Sequence, residues 1–194
     1  MKRGLVTSAV LAVALIFAGM AMAGKPLPDG WNGGNIKDYD IGLDTQIFKD
    51  GKASATIKSK TQNPENFGTI VQSFSAESYL GKRVRMSAFV KGDKITSWAG
   101  LWMRVDGEGK DNMSLSFDNM QSRPINGTLD WKKYEIVLDV PAASKNITFG
   151  ILLDGPGQAW VDGFAFEVVT KDVPVTGMAW NKTNKEPLSL GFEN

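Results

Sequence analysis

The segment RVRMSAFVKGDKITSWAGLWMRV, residues 83–105, carries the pattern that decides the fold. Apolar residues recur at every second position in its first and last parts: Val84, Met86, Ala88, Val90, Ala99, Leu101, Met103 and Val105. A period of two places successive side chains on opposite faces of a β-strand. Gly92 and Asp93 form a turn sequence between the two parts. The segment therefore predicts two strands, each with one buried face.

The same alternation continues on both sides of this segment. Further runs occupy 53–58, 69–74, 112–118, 133–140 and 146–153, and the run 158–169 is apolar on both faces. Gly-, Asn- and Asp-rich turn sequences separate them, and no sustained helical period follows residue 23. Eight or more strands at a spacing of about 10–15 residues predict an all-β fold. We expect a two-sheet antiparallel β-sandwich of the jelly-roll type.

Composition narrows the range of functions. The 194 residues are 42% hydrophobic and include neither cysteine nor histidine. This excludes Ser-His-Asp and Cys-His catalysis, disulfides, and ordinary zinc, haem or iron–sulfur sites. The formal net charge of +1 lacks the basic surplus of a nucleic-acid-binding protein. We expect no nucleic-acid partner.

The first residues are typical of an export signal. Lys2 and Arg3 precede an apolar run over 4–20, and Ala21-Met22-Ala23 matches a signal-peptidase site. The sequence predicts a cleaved signal peptide over 1–23 and a periplasmic or secreted protein, with an N-terminal membrane anchor as the alternative. No later run is long and apolar enough to span a bilayer, so we expect no membrane span after cleavage. After the signal, residues 24–37 form an irregular lead-in, 38–170 the sandwich, and 171–194 a linker with a possible C-terminal strand.

Two segments resemble a known family. Gly81-Lys82-Arg83-Val84-Arg85, followed by an alternating strand, and Trp160-Val161-Asp162-Gly163-Phe164 resemble the carbohydrate-binding-module and galactose-binding-like jelly rolls of bacterial exported proteins. The block from Trp98 to Trp131 is similar to a bacterial domain of poorly defined function, seen alone or joined to regulators and hydrolases. The resemblance covers roughly 38–170. It implies the fold and says little about activity.

The C-terminus differs from the family pattern. Such modules usually begin with a strand like NLGFE, whereas this chain ends with Leu190-Gly191-Phe192-Glu193-Asn194. This segment either returns to the first-strand position of its own sheet or adds to the sheet of another chain. The second placement predicts self-association, and a disordered tail is the third possibility.

A candidate ligand surface lies on the strand at 98–105. Trp98, Trp102 and Arg104 alternate with its core residues, so they share the other face. If the strand at 112–118 packs Met113, Leu115 and Phe117 inward, Asp118 shares that face too, with Asn119 and Arg123 following. Indoles stack on sugar rings, and Asp, Asn and Arg bind their hydroxyls. We predict a carbohydrate site made of Trp98, Trp102, Arg104, Asp118, Asn119 and Arg123. Alternatively, both indoles belong to a packed layer, and Arg104 pairs with Asp118.

The resemblance also implies one structural Ca²⁺. The matching positions are Glu193, the turn at Asp50 and Asp162, with Asp44 as an additional candidate. Calcium binds six to eight oxygens, several from carboxylates or carbonyls.

Taken together, the sequence predicts an exported, non-catalytic module that binds a carbohydrate or cell-envelope glycan. One alternative is a structural protein that assembles through its C-terminal strand. The other is a small hydrolase or lyase that uses carboxylates, although no spacing among Asp118, Asp130 and Glu135 marks a catalytic pair.

Overall fold

A computed structural model of the protein describes residues 25–108 and 114–177. These residues form nine strands and a short 3₁₀ turn at Glu77–Tyr79. The strands are β1 (Asn32–Gly34), β2 (Tyr39–Asp44), β3 (Ser54–Ser59), β4 (Gly68–Ser75), β5 (Arg83–Gly107), β6 (Ser114–Asp118), β7 (Ile125–Asp139), β8 (Ser144–Asp154) and β9 (Gln158–Val169). In this part of the chain no helix is both long and apolar enough to cross a bilayer.

Strand β5 belongs to both layers of the structure. Its first half, 83–93, pairs with β7 and β9, and its second half, 98–107, pairs with β8 and β6. The chain bends between the halves, where the pairing register shifts and Lys94 has a φ of 50°. The sequence predicted two strands separated by a turn at 92–93. The chain bends there without reversing, because pairing with β7 continues at Gly92 and Ile95.

The two halves of β5 define two sheets. The first sheet has the order β2–β3–β9–β5–β7, and the second has the order β1–β4–β8–β5–β6. All neighbouring strands are antiparallel. The predicted all-β, two-sheet antiparallel sandwich is confirmed.

The core fills the space between the sheets. All eight apolar residues that alternate along β5 are fully buried, and burying a side chain of this size stabilises the fold by about 1.5–3 kcal/mol. An aromatic cluster continues the core, in which Phe149 packs edge-to-face on Trp31, Phe74 and Phe166 at centroid distances of 4.8–5.8 Å. Trp31 and β1 come from 24–37, the segment expected to be irregular. Part of that segment therefore belongs to the sandwich.

Residues 170–177 cross the side of the sandwich where the edge strands β6 and β7 meet. The N–H of Thr176 donates to the carbonyl of Val137 at 2.9 Å, and the N–H of Val137 donates to Thr176 Oγ1 at 2.8 Å. Gly177 lies so close to β6 that a Cβ there would overlap the carbonyl oxygen of Phe117. The predicted signal peptide, the predicted C-terminal strand and Glu193 lie outside the described residues.

Candidate functional site

The outer face of the second sheet brings Trp98, Trp102 and Arg104 together. Their neighbours Ala99, Leu101 and Met103 are fully buried, so the alternate side chains point away from the core. Trp98, Trp102 and Arg104 are each partly exposed. The alternation in the sequence was sufficient to group these three residues.

The pairing register shows which residues surround them, because directly opposed side chains lie on the same face of a sheet. Trp102 is opposite Gly150 of β8, which is opposite Val71 of β4. The rows on either side are Gly100–Leu152–Thr69 and Arg104–Thr148–Ser73. We call this surface the tryptophan face; its residues are Trp98, Gly100, Trp102, Arg104, Thr148, Gly150, Leu152, Thr69, Val71 and Ser73.

The indole of Trp102 is held across the sheet. Its Nε1–H donates to Thr69 Oγ1 at 3.1 Å, and the Thr69 hydroxyl donates to the carbonyl of Ile151 at 2.9 Å. Strand β8 lies between Trp102 on β5 and Thr69 on β4. The indole therefore extends over β8, where the residue opposite Trp102 is glycine. This hydrogen bond fixes the position of the indole on the sheet.

Trp98 leans along β5 in the direction of Trp102. A Cβ on Gly100 would lie 3.2 Å from Cζ3 of the Trp98 ring and 2.8 Å from the carbonyl oxygen of Asn119. Gly100 therefore leaves the space that the Trp98 ring and the turn at Asn119 occupy. The Asn119 side chain accepts the N–H of Gln121 at 3.1 Å. Asn119 thus lies at the border of the tryptophan face.

Among the described residues, neither Trp98 nor Trp102 has a ring–ring contact, whereas Trp31 packs on both Phe149 and Phe164 at 5.3 Å. The aromatic cluster of the core therefore does not include the two indoles. The alternative in which both belong to a second packed layer stays a prediction.

The expectation that Asp118 shares the tryptophan face is wrong. Asp118 is opposite Met103, which faces the core. Its carboxylate is only 6% exposed and accepts two N–H groups of Arg123, at 3.1 and 2.6 Å, and the N–H of Met120 at 2.8 Å. Arg123 also donates to the carbonyl of Glu135 on β7 at 3.2 Å. Asp118 and Arg123 therefore close the sandwich between β6 and β7, away from the indoles.

The reason lies in the inverted polarity of β6. This strand turns its polar residues inward, where the Ser116 hydroxyl donates to the carbonyl of Asp139 at 2.8 Å. Leu115 and Phe117 are turned outward and are partly exposed. Alternation alone assigns the apolar residues to the core, and it fails where buried polar groups find partners on a neighbouring edge strand.

Arg104 pairs with Asp106 rather than with Asp118. Its Nε lies 2.9 Å from Oδ1 and 3.0 Å from Oδ2 of Asp106. The Asp106 side chain is 3% exposed, and the Arg104 side chain is 40% exposed. The pair therefore joins a buried carboxylate to a guanidinium that reaches the surface beside Trp102.

The outer face of the first sheet is partly covered. Trp160 is only 5% exposed, and its Nε1–H donates to Asp44 Oδ2 at 2.9 Å. Burial alone would raise the pKa of Asp44, but this bond and those from the N–H groups of Gln46 and Ile47 outweigh it and lower the pKa. The β2–β3 loop thus lies over this sheet and encloses Trp160.

Two cavities in the described part of the chain lie away from the tryptophan face. One, of about 460 Å³, is bounded by residues such as Glu77, Leu80, Ser144 and Lys145 at one end of the sandwich. The other, of about 210 Å³, lies beside Trp31 and is smaller than most ligand pockets. The larger cavity has no aromatic side chain in its lining. The tryptophan face carries two partly exposed indoles.

Comparison with known proteins supports the fold. No protein-family model matches the chain. The chain is 44% identical over 168 residues to an uncharacterized HTH-type transcriptional regulator, YbfP, of Bacillus subtilis (strain 168), and the match covers 84% of this chain and 56% of that protein. The chain thus spans a little over half the length of this relative.

Solved structures give the architecture. The CBM22-1 xylan-binding domain of Xyn10C from Paenibacillus barcinonensis is 15% identical, with a TM-score of 0.52 over 75% of this chain and 89% of that one. A family 16 carbohydrate-binding module is 13% identical, with a TM-score of 0.54 over 72% and 91%. The chain has the fold of a carbohydrate-binding module. A Stig cyclase, Fisc, from Fischerella sp. TAU also matches, at 11% identity and a TM-score of 0.52 over 75% and 87%. At such identities the likeness shows the fold alone.

The calcium site implied by the family resemblance is only partly within the described residues. Asp162 Oδ2 accepts the N–H groups of Lys49 and Asp50 at 2.9 and 3.0 Å, and Oδ1 accepts that of Gly163 at 2.8 Å. Both oxygens are thus directed at N–H donors, which a cation would have to replace. No group of three or more acidic side chains suited to a metal occurs in the described ranges. Asp50 and Asp162 alone do not fit a calcium ion, and the set that includes Glu193 stays a prediction.

Four further residues of the tryptophan face were not predicted from the sequence to lie near the indoles: Thr69, Ser73, Thr148 and Gly150. The alternation over 69–74 already assigned Thr69 and Ser73 to the polar face of their strand. What it lacked was the pairing of β4 with β8 and of β8 with β5, which is a long-range property of the fold.

Proposed function

We propose that this protein is an exported, non-catalytic module that binds carbohydrate on its tryptophan face. The observation that supports this most strongly is the partly exposed Trp102 indole, held on the sheet by its hydrogen bond to Thr69. A sugar ring has an apolar face, and a rigid aromatic ring provides a matching surface without the entropic cost of ordering a mobile side chain. Solved structures of the same fold include a xylan-binding domain.

Polar groups suited to hydroxyl recognition flank the ring. Arg104 offers N–H donors on one side, and the hydroxyls of Thr148 and Ser73, 2.8 Å apart, lie in the same row. Leu152 and Thr69 lie on the other side, toward Trp98. A ligand that stacks on Trp102 thus meets both donors and acceptors, as sugar specificity requires.

The proposal is tested by titrating the protein with soluble oligosaccharides of xylose, mannose, glucose and N-acetylglucosamine in a calorimeter. Trp102→Ala is the test variant, and Trp131→Ala is the matched control, because Trp131 is also partly exposed but lies on β7 of the first sheet. We expect Trp102→Ala to weaken binding by about 1–3 kcal/mol, the usual value of stacking on a planar ring ligand. Binding lost in the control instead, or absent from every neutral and charged glycan tried, contradicts the proposal.

Export has its own test. If residues 1–23 are a signal peptide, protein recovered from the periplasm or medium of a bacterial host begins at Gly24. Full-length protein retained in the cytoplasmic fraction contradicts export. That result would not bear on glycan binding, which the calorimetric titration tests separately.

Strand addition by the C-terminal segment is a second candidate function. One observation favours it: the chain that leads to this segment already lies against β6, because a Cβ on Gly177 would overlap the carbonyl oxygen of Phe117. Strand addition to a sheet is a common mode of association. Deleting 188–194 is then expected to convert a concentration-dependent dimer to a monomer. A full-length protein that is already monomeric at all concentrations rules out self-association.

A further inference from the structure

Arg104 is two residues after Trp102 on β5 and is the next side chain on the same face of the sheet. The two residues face the same way and are separated by one core residue, which places their Cα atoms about 7 Å apart on an extended chain. A sugar ring stacked on Trp102 therefore holds its substituents within reach of the Arg104 guanidinium.

The guanidinium uses only part of its hydrogen-bonding capacity within the protein. Nε donates to Asp106, and within the described part of the chain neither Nη group has a hydrogen-bond partner. Arginine has five N–H donors and no acceptor. The four N–H donors of the Nη groups thus have no acceptor among the described residues, and the side chain is 40% exposed.

Asp106 orients this group. Because the Asp106 carboxylate is 3% exposed and contacts Nε at 2.9–3.0 Å, the plane of the guanidinium is set before any ligand arrives. Part of the entropic cost of immobilising an arginine is therefore already met in the free protein. Asp106 also neutralises the charge of Arg104, so long-range attraction contributes little to anion binding. Selectivity for an anion must therefore come from the hydrogen bonds that the planar guanidinium, here called the fork, donates through its two Nη groups.

Apart from Asp106, no described residue in the row of Arg104 carries a negative charge. Thr148 and Ser73, in the same row, are uncharged. The other carboxylate of this sheet face, Asp154, is opposite Trp98, about 20 Å away along the strand and beyond the screening length of about 8 Å.

We propose that the tryptophan face selects carboxylated sugars, with a uronate ring on Trp102 and its carboxylate accepting two parallel N–H bonds from the Nη groups of Arg104. The planar fork matches a carboxylate, whereas a hydroxyl oxygen cannot engage it in the same two-point geometry. This inference rests on the proposed function, since it assigns a ligand class to the same surface.

The test compares ligands that differ only in charge. Oligogalacturonate and oligomannuronate are titrated beside their methyl esters, which keep the sugar backbone and remove the carboxylate charge. We expect the acids to bind about tenfold more tightly than the esters, the lower range for a hydrogen bond to a charged group. The uncharged oligosaccharides of the preceding test form the third arm.

Two variants locate the effect. The double variant Arg104→Gln/Asp106→Asn removes the fork without leaving Asp106 buried and unpaired, and it is expected to bring the acid-to-ester ratio close to one with ester affinity retained. Arg104→Lys keeps the charge but not the fork, and we expect an intermediate ratio. Arg85→Gln removes an arginine from the first sheet, where Arg85 pairs with Glu135 and Glu167, and serves as the control.

The outcomes separate the two proposals. If the unmodified protein binds neutral glycans or esters and its acid-to-ester affinity ratio is near one, carboxylate selection is overturned and the proposed function stays intact. Carboxylate selection by Arg104 is also overturned if the acid-to-ester affinity ratio is unchanged in the double variant, or if Arg85→Gln lowers this ratio equally. No binding in any arm overturns both proposals.

Discussion

Trp102 and Thr69 are joined by a hydrogen bond of 3.1 Å, although 33 positions of sequence and one intervening strand separate them. The bond decides how the indole lies. A tryptophan on the surface of a sheet can extend into solvent or lie across the neighbouring strand, and the hydrogen bond to Thr69 selects the second arrangement. The outer face of the second sheet therefore presents a fixed aromatic surface.

The first prediction concerns this bond. Thr69→Val keeps the shape of the side chain and removes the acceptor of Trp102 Nε1, so the indole is free to move. We expect glycan affinity to fall by about 2–12-fold, corresponding to a typical net hydrogen-bond contribution of about 0.5–1.5 kcal/mol. Calorimetric titration measures this effect. Thr56→Val, at a threonine on β3 of the first sheet whose hydroxyl donates to the carbonyl of Ala159 at 3.1 Å, controls for the loss of a threonine hydroxyl, and equal losses in both variants would contradict the anchoring role of Thr69.

The second prediction concerns the pair that closes the sandwich. Arg123→Met leaves the Asp118 carboxylate, 6% exposed, without its ionic partner. Breaking a buried pair from one side costs about 3–5 kcal/mol, and the lower value is expected here because Arg123 is 34% exposed. Urea unfolding measures the change in the free energy of unfolding.

Two comparisons make that prediction specific. Adding Asp118→Asn to Arg123→Met is expected to recover much of the loss, because the amide oxygen still accepts the N–H of Met120. Lys37→Met, which breaks an ion pair with side chains about 75% exposed, is expected to change stability by less than about 0.5 kcal/mol. A loss in Arg123→Met no larger than in Lys37→Met would show that the pair is not structural.

The third prediction concerns alkaline pH. Burial, together with the negative charges of Asp154 and Asp38, raises the pKa of Tyr39 to about 12. The folded pKa thus exceeds the unfolded value of about 10. The corresponding stability is fully present below pH ~10 and is lost as the pH rises through the folded pKa. Unfolding midpoints in urea between pH 9 and 11.5 are expected to fall more steeply in the unmodified protein than in Tyr39→Phe. Parallel curves would contradict this assignment.

The sequence predicted the features that depend on residues close together in the chain, and it did not predict contacts between distant strands. Alternation along 83–105 was enough to give the strands, the buried residues of β5 and the shared face of Trp98, Trp102 and Arg104. These are local consequences of a period of two, and they hold wherever one face of a strand is packed. The same reasoning gave the sandwich, because strands with one apolar face must pack in pairs of sheets.

The failures share a physical cause. Asp118 was assigned to the outer face because alternation placed Leu115 and Phe117 in the core, yet Arg123 and the backbone of Met120 satisfy the Asp118 carboxylate on the inner side. Thr69 was not connected with Trp102, since their contact depends on the order of β4, β8 and β5. In both cases the position or contact of the side chain depends on a partner in a following turn or far away in the sequence. The alternation within one strand does not show which residues these partners are.

The most direct test of the central claim follows the indole N–H signals of the protein by ¹H–¹⁵N NMR during titration with the tightest-binding oligosaccharide. Trp→Phe variants assign the signals. The account predicts that the Trp102 and Trp98 signals shift progressively to saturation, while those of Trp31 and Trp160, which lie in the aromatic core and beneath the β2–β3 loop, remain in place. Shifts confined to Trp31 or Trp131, with Trp102 and Trp98 unmoved at saturation, would contradict it.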